Sequence, residues 1–137
     1  MFKTRKARVI AWTGGAAVLA GTVLGGVAVA AIGGANAPFA QASAVINADG
    51  SVSRSKGVAD VWLGPTAGRF CVRLSDTRLN VNELTPVATL DTGGWPGRIY
   101  IENRTSSQCN NRADTILVVT TNQNEGGDYK PFSILVP

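Results

Sequence analysis

The sequence predicts an all-β fold, a single small antiparallel β-sandwich or barrel placed after an N-terminal signal helix. Three observations carry this. The stretch Arg69-Phe70-Cys71-Val72-Arg73-Leu74-Ser75 alternates strictly, with Phe70, Val72 and Leu74 on one face and Arg69, Cys71, Arg73 and Ser75 on the other. Period two over that length marks a half-buried strand. Six to eight such short runs follow one another, separated by Gly, Pro and Asn turns, and no segment after Ala42 sustains a 3.6-residue period.

The first 42 residues read as a secretory signal. Lys3, Arg5, Lys6 and Arg8 form a basic start without acidic residues, and an uncharged Ala/Val/Gly run from Val9 to Ala35 follows. Small-residue sites come next, at Ala35-Asn36-Ala37, Ala40-Gln41-Ala42 and Ala42-Ser43-Ala44. Basic n-region, apolar h-region and A-x-A site together specify export. Pro38 disfavours cleavage after Ala37, which places the cut after Ala42 and makes 43–137 the folded domain. The alternative is an uncleaved anchor, since Val9 to Ile32 is long enough to span a bilayer. Seven glycines between Gly14 and Gly34 weigh against a stable helix there.

Removing the signal changes the charge balance. The chain carries 13 Lys+Arg and 9 Asp+Glu. The four basic residues of the signal leave nine against nine, so the domain is neutral and offers no electrostatic case for nucleic acid. About 95 residues then remain for one domain. A chain of that size buries only roughly 60–65% of its unfolded surface, so a covalent staple helps. Cys71 and Cys109, 38 residues apart, are the candidates, and an exported pair is usually bonded. Because Cys71 points away from Phe70, Val72 and Leu74, the bridge is expected to clamp a loop over the strand's other face.

In chain order, Pro38 to Ser43 reads as a disordered leader. Ala44 to Asn47 reads as a first strand, with Asn47-Ala48-Asp49-Gly50 turning into a partner at Ser51 to Arg54. Val58 to Leu63 is the next strand, and Gly64 to Gly68 connects it tightly to the central one. Asp76 to Leu84 loops across the fold. Thr85 to Leu90 is a short strand started by its proline. Asp91 to Gly97 is a dense turn cluster. Arg98 to Glu102 alternates, with Ile99 and Ile101 inward and Tyr100 outward. Asn103 to Ala113 is a polar loop containing Cys109. Ile116-Leu117-Val118-Val119 is unbroken and fits a strand covered on both faces. Phe132, Ile134 and Val136 mark a closing strand whose open edge hints at a homo-oligomer.

Several stretches, Ala44-Val45-Ile46-Asn47-Ala48-Asp49-Gly50-Ser51, Gly57-Val58, Gly68-Arg69-Phe70-Cys71-Val72 and Phe132-Ser133-Ile134-Leu135-Val136, form a pattern spanning nearly the whole domain. In these the chain resembles a group of small secreted β domains from actinobacteria. The shared motifs are turn and strand motifs; the resemblance implies the fold and transfers no activity and no site residues.

The chemistry is limited by what the chain contains. It has no histidine, which removes Ser-His-Asp and Cys-His catalysis and histidine-ligated zinc. Two cysteines cannot build a four-cysteine zinc site, and no phosphate-cradling Gly-rich loop precedes a Lys-Ser/Thr pair. Leu90-Asp91-Thr92-Gly93 resembles the active-site tripeptide of aspartic proteases. Alone in so short a chain it reads better as turn chemistry. Asn47-Ala48-Asp49-Gly50 lacks the further oxygen ligands of a calcium loop. No cofactor and no metal are expected, and no catalytic residue is assigned.

The candidate ligand-binding residues are aromatic. Trp95 sits among Gly93, Gly94, Pro96 and Gly97; Tyr100 lies opposite Ile99 and Ile101; Trp62 neighbours Leu63. Exposed rings would stack on sugars or anchor a protein. The competing reading has Trp95 capping the sandwich and Trp62 filling its core. Arg69 and Arg73, either side of Cys71, would flank an acidic ligand or form a solvated face. The function expected is therefore a secreted, non-enzymatic binding or structural module for an extracellular protein or glycan. Nucleic acid is not expected, and a membrane only through an uncleaved signal. The alternative is a small inhibitor or effector that inserts a loop such as Asp91 to Gly97 into another protein.

Overall fold

A computed structural model describes residue 35 and residues 37–137. Of the 42 residues read as signal or anchor, residues 1–34 and Asn36 lie outside the described residues. Among the described residues no helix is long and apolar enough to cross a membrane.

The described chain forms eight strands: β1 (Ala42–Ile46), β2 (Val52–Lys56), β3 (Val58–Leu63), β4 (Arg69–Leu74), β5 (Val87–Leu90), β6 (Arg98–Glu102), β7 (Thr115–Thr121) and β8 (Phe132–Val136). They make two antiparallel four-stranded sheets, ordered β2-β1-β8-β5 (sheet A) and β3-β4-β7-β6 (sheet B). This is the sandwich alternative of the sequence reading. The chain changes sheet between β2 and β3, β4 and β5, β5 and β6, and β7 and β8.

Alternation decides what each strand buries. Ala42, Ala44 and Ile46 of β1, Phe70, Val72 and Leu74 of β4, Ile116 and Val118 of β7, and Phe132, Ile134 and Val136 of β8 meet in one core between the sheets. Phe70 sits at its centre, edge-on to Phe132 at 5.0 Å and to Tyr129 at 5.4 Å between ring centroids. These T-shaped contacts set the positive ring edge against the negative face, which adds to area burial. The unbroken run in β7 has the expected explanation. Ile116 and Val118 enter the core, while Leu117 packs on the other side against Cys71 and Cys109.

The β2–β3 corner needs glycine. Gly57 has φ +66°, and a Cβ there would lie 2.2 Å from the Gln41 carbonyl oxygen. A side chain would be both strained and blocked by backbone. With that single residue the chain leaves sheet A and enters sheet B.

Two expectations are corrected. Pro38 to Ser43 is an ordered arm rather than a disordered leader. β1 already begins at Ala42, which is 1% exposed, and the Gln41 N–H donates to the Val136 carbonyl at 2.9 Å. The Lys56 ammonium donates to the carbonyls of Ala37 (2.7 Å), Pro38 (3.2 Å) and Ala40 (2.8 Å). An ammonium has three donors to satisfy, and this loop of carbonyls satisfies them. The boundary read between 42 and 43 therefore falls inside β1. The second correction concerns β8, which is not an open edge. It lies between β1 and β5, paired with both. The edge argument for a homo-oligomer is lost with it. The real edges are short or charged, with Arg54 and Lys56 on β2, Asp60 on β3, and Arg98 and Glu102 on β6, a pattern that discourages further strand pairing.

The loop from β4 to β5 crosses between sheets, anchored by buried Val81, whose N–H donates to the Ala113 carbonyl at 2.8 Å. Just before β7, Arg112 donates to both carboxylate oxygens of Asp114, at 2.9 and 2.7 Å. The guanidinium holds the Asp114 carboxyl below its ordinary range.

Candidate functional site

The outer face of sheet B is a grid fixed by strand register. One row runs Trp62, Cys71, Leu117, Glu102; the next runs Arg69, Val119, Tyr100. All of these alternate away from the core, as period two requires.

The disulfide divides this face. Cys71 and Cys109 are bonded across 5.5 Å between Cα atoms, and both are fully buried beside Leu117. Cys109 ends a short 3-10 turn, Ser107–Cys109, capped by the Ser106 side chain. The bridge thus pins the 103–114 loop over the middle of the sheet, as the direction of Cys71 implied. Trp62 is half-buried against this cluster. It neither fills the main core nor joins the other two aromatic residues. Three strand spacings, about 14 Å, separate its backbone position from that of Tyr100 across the sheet.

Trp95 and Tyr100 belong to one end. Tyr100 is 48% exposed, and Trp95 is 83% exposed, so the reading of Trp95 as a core cap fails. The reason is local. Thr92–Gly94 is a 3-10 turn whose N-cap, Asp91, accepts the Thr92 N–H at 2.9 Å, and Gly94 packs against Leu90. Gly94 is buried beneath the turn, and the Trp95 ring lies outside it. Asp91 thereby spends its carboxylate on the turn. Among the described residues no three Cys, Asp or Glu side chains gather to hold a metal.

A groove of about 380 Å³ opens along the second row, with Arg69, Val119, Tyr100, Thr121 and Glu125 among its lining residues. The loop from β7 to β8 supplies its far wall. Asn122 holds that loop, its side-chain oxygen accepting the N–H groups of Asn124 (2.9 Å) and Gly126 (3.1 Å). Glu125 takes a left-handed φ of 66° and pairs with Arg98. The Tyr100 hydroxyl first, and then Glu125, push the Arg98 guanidinium up from its ordinary value. Gly68, at φ +72°, lets the loop close in: a Cβ there would lie 2.2 Å from the Thr120 oxygen and 2.7 Å from the Asp128 nitrogen.

The sequence reading missed Arg98, Thr121 and Glu125. Arg98 and Glu125 are 27 residues apart, and only the β6–β7 pairing with the loop return brings them together. The Gly126-Gly127 pair after Glu125 was the one available signal, marking a turn without its direction.

A second groove, of about 430 Å³, lies on the outer face of sheet A, with Ala37, Val45, Val87 and Leu135 among its walls. Its lining is almost wholly apolar and supplies few groups to orient a ligand. No protein-family model, no curated protein and no solved structure matches this chain.

Proposed function

We propose that the protein is exported and acts outside the cell as a non-enzymatic binding module, through the end of sheet B that carries Trp95 and Tyr100. Export is supported by the basic start, the apolar run and the small-residue sites, together with an oxidised cysteine pair, which persists in oxidising compartments. The observation that carries the binding reading is the exposure of Trp95 on a capped turn. An indole left in water forgoes the stabilisation of burial, roughly 1.5–3 kcal/mol for a large side chain. Tyr100, on the following strand, is half-exposed as well. Rigid aromatic rings of this kind anchor partners at little entropic cost.

The purified, oxidised protein should sediment with the insoluble envelope fraction of the producing cells. Trp95→Ala combined with Tyr100→Ala should reduce the retained fraction about tenfold, as loss of aromatic anchors does. Val87→Ala, on the opposite face, should leave it unchanged. Equal retention of all three proteins, or none by the wild type, would sink this reading. The exposure of Trp95 in the Asp91 to Gly97 loop also suits the second reading, a loop-inserting inhibitor. Inhibition of extracellular proteases by the wild type, lost with Trp95→Ala, would select it.

A further inference from the structure

The groove beside Tyr100 combines three features, and together they specify a ligand; the sheet A groove shares an apolar lining and an unpartnered hydroxyl, Ser43 Oγ, but none of its lining residues is charged or aromatic. Part of the floor of the Tyr100 groove is apolar: Val119 lies between Tyr100 and Arg69 in the same row. Its two neighbouring guanidinium groups are not equivalent. Arg98 is already matched by Glu125, whereas Arg69, among the described residues, enters no ion pair. Its third feature is an orphan. Thr121 is 5% exposed, and its Oγ1 has no hydrogen-bond partner. A buried hydroxyl without a partner is uncommon and costly, and it calls for a group that would complete it.

We propose that this groove binds a uronate unit of an acidic polysaccharide, a six-membered sugar ring bearing one carboxylate. The inference rests on the binding-module reading and names the ligand class of that surface. The C–H face of the ring lies on Tyr100 and Val119, where an aromatic face favours the slightly positive hydrogens. The carboxylate takes the fork of Arg69, whose paired N–H groups fit two oxygens. Thr121 Oγ1 and the Glu125 carboxylate meet ring hydroxyls, as acceptors for O–H donors. The volume falls within the range of small-ligand sites, roughly 300–1,000 Å³. A bare phosphate would leave Tyr100 and Thr121 idle, and a neutral sugar would leave Arg69 unmatched.

The test titrates the oxidised protein with hexagalacturonate, maltohexaose and inorganic phosphate, followed by backbone amide shifts. Hexagalacturonate should move the amides of Arg69, Tyr100 and Val119 and bind more weakly as salt is raised. Maltohexaose and phosphate should bind about tenfold more weakly or worse. Arg69→Gln and Tyr100→Ala should each lower the hexagalacturonate affinity about tenfold, with melting temperatures near that of the wild type. Arg69→Lys, which keeps charge and loses the fork, should not restore full affinity. Equal binding of maltohexaose, phosphate binding as tight as the uronate, shifts confined to the Val87 and Leu135 face, or an unaffected Arg69→Gln would each overturn the proposal. If hexagalacturonate fails while Tyr100-dependent envelope binding persists, the ligand class falls and the binding module stands. If both fail, the module reading falls as well.

Discussion

Replacing both cysteines, Cys71→Ala with Cys109→Ala, is expected to lower the unfolding free energy by about 4 kcal/mol. The loop closed by the bridge spans 38 residues, and the chain-entropy relation for that length gives about this value. Small domains are stable by only about 5–15 kcal/mol, so the loss decides whether the protein stays folded at physiological temperature. For a domain of this size it corresponds to a melting-temperature drop of about 20 °C. Thermal melts of the wild type with and without reductant should show the same drop. The 103–114 loop should lose amide protection first, because its hold on sheet B runs largely through Cys109 beside Cys71 and Leu117. A change under about 1 kcal/mol would mean that the loop is held without its bridge, and the staple would be ornamental.

Phe70→Ala is expected to cost about 3–5 kcal/mol, the range for emptying a large aromatic site in a packed core. Phe70 is fully buried, and its ring is the common neighbour of Phe132 and Tyr129. Phe132 belongs to sheet A and Phe70 to sheet B, so the cavity would open between the layers, where neither sheet collapses into it without moving its register. The matched control is Leu135→Ala, on the outer face of β8, expected within about 0.5–1 kcal/mol of wild type. Urea titrations should show the Phe70→Ala midpoint falling at unchanged slope. Equal midpoints for the two variants would contradict the placement of the core.

Much of the sandwich was legible because strands announce themselves through local alternation. Phe70, Val72 and Leu74 established β4 and the outward direction of Cys71, and with it the face over which the bridge clamps its loop. Ile99, Tyr100 and Ile101 established β6, including the exposure of Tyr100. Ile116 to Val119 declared a strand covered on both faces before the covering elements were known. What was not legible is pairing at a distance. Nothing near Phe132 says that β8 will lie between β1 and β5, because that neighbourhood is decided by where two other strands leave room.

The arm at Ala37 to Gln41 was hidden for the same reason. Small residues near a cleavage signal read as a leader, and the Lys56 ammonium that organises them comes 16 to 19 residues later. Trp95 was undecidable from composition, since Gly, Pro and Asp make the same turn whether the ring folds in or out. In the folded chain the turn is capped by Asp91 and the ring points outward. At the groove, Arg69 was visible as one of two arginines flanking Cys71. Its lack of a partner, and the orphaned Thr121 hydroxyl, emerge only once the β7–β8 loop is in place.

Export with an oxidised bridge underlies every functional statement above, and one mass spectrum tests it. Protein recovered separately from the culture medium and the membranes of the producing cells would be alkylated without reductant and weighed intact. Export predicts a species in the medium that lacks the basic N-terminus and carries no alkyl groups, and its mass also locates the cleaved bond relative to the arm at Ala37 to Ala42. A chain that is full-length, membrane-bound and alkylated at both Cys71 and Cys109 would contradict the account.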